Sequence, residues 1–166
     1  CLSAADQNTR LTLMKQAVAS LKSSRATYVY IDAGNSGWHP AATMAPRLQQ
    51  AGIAGADGFS LNVSNFYATA QSVSYGNQLS GLVGGKHYVV DTSRNGKGAL
   101  SGEAWCNPPG RALGANPTTV QSSGPLVDAL LWIKTPGQSD GTCNGGPPAG
   151  SWWADYALGL ARTAGW

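Results

Sequence analysis

The chain has 166 residues, of which 11% are charged, and a formal net charge of +3. An average soluble protein carries about 25% charged residues. With 42% of residues hydrophobic the composition excludes a disordered chain, the scattered basic residues argue against nucleic-acid binding, and no run approaches the roughly 18 apolar residues of a membrane span.

Asp6 to about Leu21 reads as an amphipathic helix, because Leu11, Met14, Ala17, Val18 and Leu21 recur at helical spacing. Ala26–Ile31 is a β-branched and aromatic run, read as a buried strand that ends at Asp32. A polar loop follows, and Pro40 starts a helix to about Gln50, since proline suits a first helical turn. Gly58–Leu61 reads as a short strand ending before Asn62. Thr69–Val83 reads as a helix stopped by Gly84 and Gly85. His87–Val90 is a strand ending at Asp91, and Ala129–Ile133 is another, ending at Lys134. A long loop, about 96–124, separates these two strands, and a second loop covers 135–150. Trp152 to Ala161 reads as the closing helix, with Trp132, Trp152 and Trp153 as core residues.

Strands that are continuous apolar runs and alternate with helices define an α/β fold with a parallel sheet covered on both faces. Each strand ends in a polar residue: Asp32, Asn62, Asp91 or Lys134. In barrel folds active sites form at these ends, although any one such residue is equally a cap or turn residue. Asp57 and Asp128 precede strands and read as turn caps. Glu103 reads as an ion-pair partner of Arg111 or Arg94.

None of the three cysteines lies in a C-x-x-C pair, which argues against zinc-ribbon and thioredoxin sites. Three buried thiols are one reading. A Cys106–Cys143 bridge is preferred, because both residues lie in Gly/Pro/Asn-rich loops that do not suit core thiols. It implies an oxidising, extracytoplasmic setting and leaves Cys1 to pair elsewhere. A staple between two loops, one carrying Trp105 and the other Asp140, points to a carbohydrate site, since a tryptophan face stacks on the C–H face of a sugar. No metal-ligand spacing and no Ser-His-Asp arrangement is legible.

The segments Asp32-Ala-Gly-Asn-Ser-Gly-Trp-His39, Asn62-Val-Ser-Asn-Phe66, Asp91-Thr-Ser-Arg-Asn-Gly96, Trp105-Cys-Asn-Pro-Pro-Gly-Arg111 and Leu131-Trp-Ile-Lys-Thr-Pro-Gly-Gln-Ser-Asp-Gly141 resemble the motifs of glycoside hydrolase family 6, the secreted cellulases. The bacterial endoglucanases look nearest. The resemblance implies a distorted parallel β/α barrel of about seven strands. It implies hydrolysis of β-1,4-glucosidic bonds in cellulose or cello-oligosaccharides with inversion, no cofactor and no metal. It assigns Asp32 to support of the general acid and Asp140 to the base. It assigns sugar contacts to Trp38, Asn65, Trp105 and Lys134, and a loop-stapling disulfide to Cys106 and Cys143. Asn35 stands where many members have His, and Gln138 where the motif usually has Glu; both bear on sugar contacts more than on chemistry. Asn62-Val-Ser64 fits a glycosylation sequon, but its place in a site motif argues against a glycan.

The resemblance further implies that residues 1–166 are the C-terminal segment of one catalytic domain. Its general acid lies upstream of Cys1, and Cys1 pairs with the N-terminal part of the same domain. The segment alone is then expected to be inactive. The moderate length of the second loop favours an open cleft and endo action. An alternative reading is a non-catalytic glucan-binding module that keeps the aromatic sugar platforms.

Overall fold

The computed structural model describes residues 2–102, 104–119 and 124–166. Cys1 and Glu103, and with them the expected pairings of both, lie outside these residues. Four strands, β1 (Tyr30–Asp32), β2 (Gly58–Leu61), β3 (His87–Asp91) and β4 (Val127–Leu131), form one sheet in sequence order. Every neighbouring pair is parallel. Four helices accompany them: α1 (Ala4–Lys22), α2 (Ala41–Ala51), α3 (Thr69–Leu82) and α4 (Ala154–Ala164). This is an α/β architecture with the sequential parallel pairing of a β/α barrel, shown by the four strands among the described residues.

Alternation along the strands sorts the side chains onto two faces. The rows Ile31–Phe59–Tyr88–Val127 and Leu61–Val90–Leu130 belong to the hydrophobic core. They pack with Met44 and Leu48 of α2 and Tyr75 and Leu79 of α3. The opposite face carries Tyr30, Asp32, Ser60 and His87. Gly58 lies between Tyr30 and His87, and a Cβ there would come within 3.1 Å of Tyr30 Cδ1. Across that gap the Tyr30 hydroxyl donates to Asp128 Oδ2 at 2.7 Å, and His87 Nδ1 lies 2.8 Å from Asp128 Oδ1.

β2 and α2 match their expected positions closely, and several elements shift. β1 is shorter than the run Ala26–Ile31, and Tyr28 is 77% exposed. The reason is Asp57, whose carboxylate takes the Val29 N–H at 2.7 Å together with Lys22 Nζ at 2.9 Å. A side chain thereby replaces the ladder partner of residue 29. The Lys22 hydrogen bond, then that from Val29, holds the Asp57 carboxyl below its ordinary range.

β4 begins two residues earlier than expected. Asp128 is a strand residue rather than a turn cap, because Tyr30 and His87 satisfy its carboxylate. The apolar residues Trp132 and Ile133 lie beyond the strand. α4 starts at Ala154, so Trp152 and Trp153 precede it, and Trp152 is 63% exposed rather than core. On α1 the apolar stripe is only partly used: Val18 is buried, Leu11 and Met14 pack against the core, and Leu21 is exposed.

Candidate active site

The loops that leave the C-terminal ends of the strands are knitted together by one buried carboxylate. Asp91, fully buried at the end of β3, accepts the N–H groups of Ser93 at 2.8 Å and of Ser64 and Lys134 at 3.0 Å. It is both a turn residue and the floor beneath the loops that follow β2 and β4. Asn62 is also fully buried, in a left-handed conformation with φ 64°. Its amide donates to the carbonyls of Asp91 and Tyr67, which leaves the sequon no accessible nitrogen for a glycan.

Four of the expected sugar-contact residues converge. Asn35, Trp38, Asn65 and Trp105 line one cavity of about 220 Å³, joined by Tyr67 and Leu100. Trp38 and Trp105 are 61% and 60% exposed, so both rings offer apolar faces rather than filling the core. Trp38 stacks on His39 with centroids 4.4 Å apart. It also lines a second cavity of about 430 Å³, which contains Asp32 with Arg10 and Arg47. Asp32 is exposed and accepts the Gly34 N–H at 2.8 Å. Gly37 lets Tyr67 approach closely, because a Cβ there would displace the Tyr67 hydroxyl.

Asp140 and Lys134 form a neighbouring charged cluster. Lys134 Nζ lies 3.3 Å from Asp140 Oδ1, and Arg94 Nη1 donates to Asp140 Oδ2 at 2.7 Å. Arg94 is fully buried, its guanidinium carbon 4.4 Å from the Phe66 ring centroid and its Nη2 donating to the Ser64 carbonyl at 2.7 Å. Burial by itself would raise the Asp140 carboxyl. The hydrogen bonds from Arg94 and the Asn107 N–H, with the charges of Arg94 and Lys134, outweigh it and hold the group below the ordinary value.

This cluster is tied to the cavity twice. Arg94 bonds the residue before Asn65, and Asn107, two residues after Trp105, bonds Asp140. The Cys106–Cys143 disulfide is formed, with Cα atoms 6.1 Å apart. Gln138 lies on the Asp140 loop, bridged through its backbone to Trp152, and lines neither cavity.

Sequence reasoning missed Arg94 as the partner of Asp140, and it missed Asn107 and Tyr67. Arg94 had a readable signal: a cation three residues after a strand-end aspartate in a chain poor in charge. Among the described residues no group of three or more His, Cys, Asp or Glu is placed to hold a metal ion, and no helix is long and apolar enough to cross a membrane.

The fold is of the α/β-barrel type, and the candidate site lies at the C-terminal ends of its strands, where such folds build active sites. The chain belongs to glycosyl hydrolase family 6: the profile of "Glycosyl hydrolases family 6" matches residues 1–164. It is 52% identical to endoglucanase A of Cellulomonas fimi over 96% of this chain and 35% of that protein. It is 45% identical to endoglucanase 1 of Streptomyces halstedii over 88% of this chain and 46% of that one. Among solved structures, the endoglucanase Cel6 from Mycobacterium tuberculosis, in complex with methyl-cellobiosyl-4-deoxy-4-thio-β-D-cellobioside, superimposes with a TM-score of 0.96. The two are 51% identical, with 100% of this chain and 57% of that chain covered. The chain therefore spans well under two thirds of the relatives it matches.

Proposed function

We propose that this chain is the C-terminal segment of a secreted family 6 cellulase domain that hydrolyses β-1,4-glucosidic bonds with inversion and in the endo mode. The observation that carries the reading is the convergence of Asn35, Trp38, Asn65 and Trp105 on one cavity, next to the Asp140 cluster. The names of its bacterial relatives, and the cellobioside bound in the Mycobacterium tuberculosis structure, favour a catalytic role over a glucan-binding module.

In this reading Trp38 and Trp105 stack on glucose rings, and Asn35, Asn65 and Lys134 take hydroxyls. Asp140, held ionised, activates water directly or through a second water. Inversion needs a second carboxyl about 6.5–9.5 Å from the first, protonated and with a raised pKa. On the family resemblance we assign the acid to a segment upstream of Cys1, supported by Asp32. The disulfide fits secretion.

The test compares the intact domain with residues 1–166 on soluble cello-oligosaccharides, following the product anomer by NMR. The domain is expected to give the inverted anomer and the segment no turnover. In the domain, Trp38→Ala and Trp105→Ala should each weaken oligosaccharide binding about tenfold or more, as loss of a stacked ring implies. A retained anomer would end the family mechanism, and brisk turnover by residues 1–166 would end the assignment of the acid.

A further inference from the structure

Asn107 is 2% exposed and lies in the left-handed region, with φ 44°. Its backbone N–H donates to Asp140 Oδ2 at 3.0 Å, and its own Oδ1 accepts the Asp140 N–H at 2.8 Å. The two residues clasp each other, backbone to side chain in both directions. The Asn107 Nδ2 group donates to the carbonyls of Gly141 at 2.7 Å and Cys143 at 3.2 Å, and to Ser139 Oγ at 3.3 Å. The hydrogen-bonding capacity of the amide is thus directed at residues 139–143. Gly146 keeps this space open, since a Cβ there would stand 2.5 Å from Asn107 Nδ2.

We propose that Asn107 is a positioning residue for Asp140, fixing the orientation of its carboxylate towards the water it activates. The inference rests on the hydrolase reading above. Two other groups hold the charge of Asp140, Arg94 beyond β3 and Lys134 beyond β4, and that charge in turn raises the Tyr156 hydroxyl of α4. Asn107 differs from them because it bonds the main chain of residue 140 as well as its carboxylate. Arg94, Lys134 and the Asn107 N–H keep the carboxylate charged; the Asn107 side chain, by holding the main chain of residue 140, keeps it aimed. The preceding residue, Cys106, is disulfide-bonded to Cys143, whose carbonyl Asn107 also engages, so the staple and the clasp hold the same two loops together.

The test uses the intact domain with Asn107→Gly and Asn107→Asp. Glycine adopts the positive φ without strain and keeps the N–H, but removes every side-chain bond. Aspartate keeps the volume and the acceptor, but turns an unprotonated oxygen towards the carbonyls of Gly141 and Cys143. For both variants kcat on a soluble cello-oligosaccharide should fall about tenfold or more, as expected for a misaimed group, with KM within about twofold. The acid limb of the kcat–pH profile should move to higher pH, and so should the Asp140 carboxyl titration followed by carbon-13 NMR. In Asn107→Gly a merely structural role would lower the melting temperature and leave both pH readouts where they are in the wild type; in Asn107→Asp the added charge raises the Asp140 carboxyl by itself, so there kcat on the neutral plateau discriminates. If Asn107→Gly does not fold, Asn107→Asp alone decides. Unmoved kcat and pH readouts in a folded variant of an active domain overturn the proposal and spare the hydrolase reading. A wild-type domain without turnover sinks both.

Discussion

Arg94 decides how Asp140 behaves. It is a fully buried cation whose Nη1 meets the carboxylate at 2.7 Å, with Phe66 beneath its plane. Removing one member of a buried pair leaves the other charge uncompensated, a loss of about 3–5 kcal/mol. Arg94→Met is therefore expected to lower the unfolding free energy by that order, with Lys134 offsetting part of it. The pH dependence has a definite sign. Because the folded Asp140 carboxyl lies below its ordinary value, its contribution is complete above the unfolded value of about 3.9 and disappears as pH falls through the folded value. Arg94→Met should flatten that acid limb. Urea midpoints measured from neutral to strongly acidic pH check both effects, and an unchanged midpoint and limb would show that the pair contributes nothing. Trp38, Asn65 and Trp105, which the structure brings to one cavity, were legible because an aromatic or amide side chain carries its chemistry by itself. Arg94 and Asn107 acquire theirs from Asp140, 46 and 33 positions away; the place of Arg94 after a strand-end aspartate marks it as a site residue, but nothing local names its partner.

Among the elements, legibility followed the source of each boundary. β2 and α2 are bounded by local chemistry: Gly58 and the strand-end Asn62 for the first, Pro40 and the left-handed Gly52 for the second. β1 and β4 are bounded by tertiary contacts. Asp57 delays the start of β1, and Tyr30 with His87 draws Asp128 into β4, ahead of the apolar run that continues to Ile133. The Tyr30–Asp128 bond spans two intervening strands and needs Gly58 to let the ring pass. The Tyr30 hydroxyl is pushed well above its ordinary pKa, first by burial and then by its bond to Asp128, so it stays a neutral donor throughout the physiological range. Gly58→Ala places a methyl group against the Tyr30 ring and the His87 backbone. Overpacking of this kind costs about 1–3 kcal/mol. A denaturant midpoint lowered to match is expected, while Gly81→Ala, whose Cβ would meet nothing within 4 Å, should not be destabilised by packing. Equal midpoints for Gly58→Ala and wild type would mean that the Tyr30 crossing does not constrain the sheet.

At the scale of the molecule the two sides of the sheet are unequal. The outer side of β4 is partly covered, because Thr118 and Leu130 exchange both backbone bonds at 2.9 Å. Among the described residues no strand pairs with the outer side of β1, and the nearby helix α1 exposes Leu13 and Leu21. An unpaired strand edge beside exposed apolar side chains is a template for association. If residues 1–166 are one segment of a closed barrel, the missing strands lie against β1 and cover that edge. The isolated chain is then expected to self-associate as its concentration rises and to bind a hydrophobic dye such as ANS. The intact domain should stay monomeric and bind little. Light scattering across a dilution series reads the first property and dye fluorescence the second. Addition of the upstream part of the domain in trans should suppress both, because the same edge cannot serve two partners. A chain that stays monomeric and dark to the dye at every concentration would mean that the sheet ends at β1, and the barrel reading of this segment would fail with it.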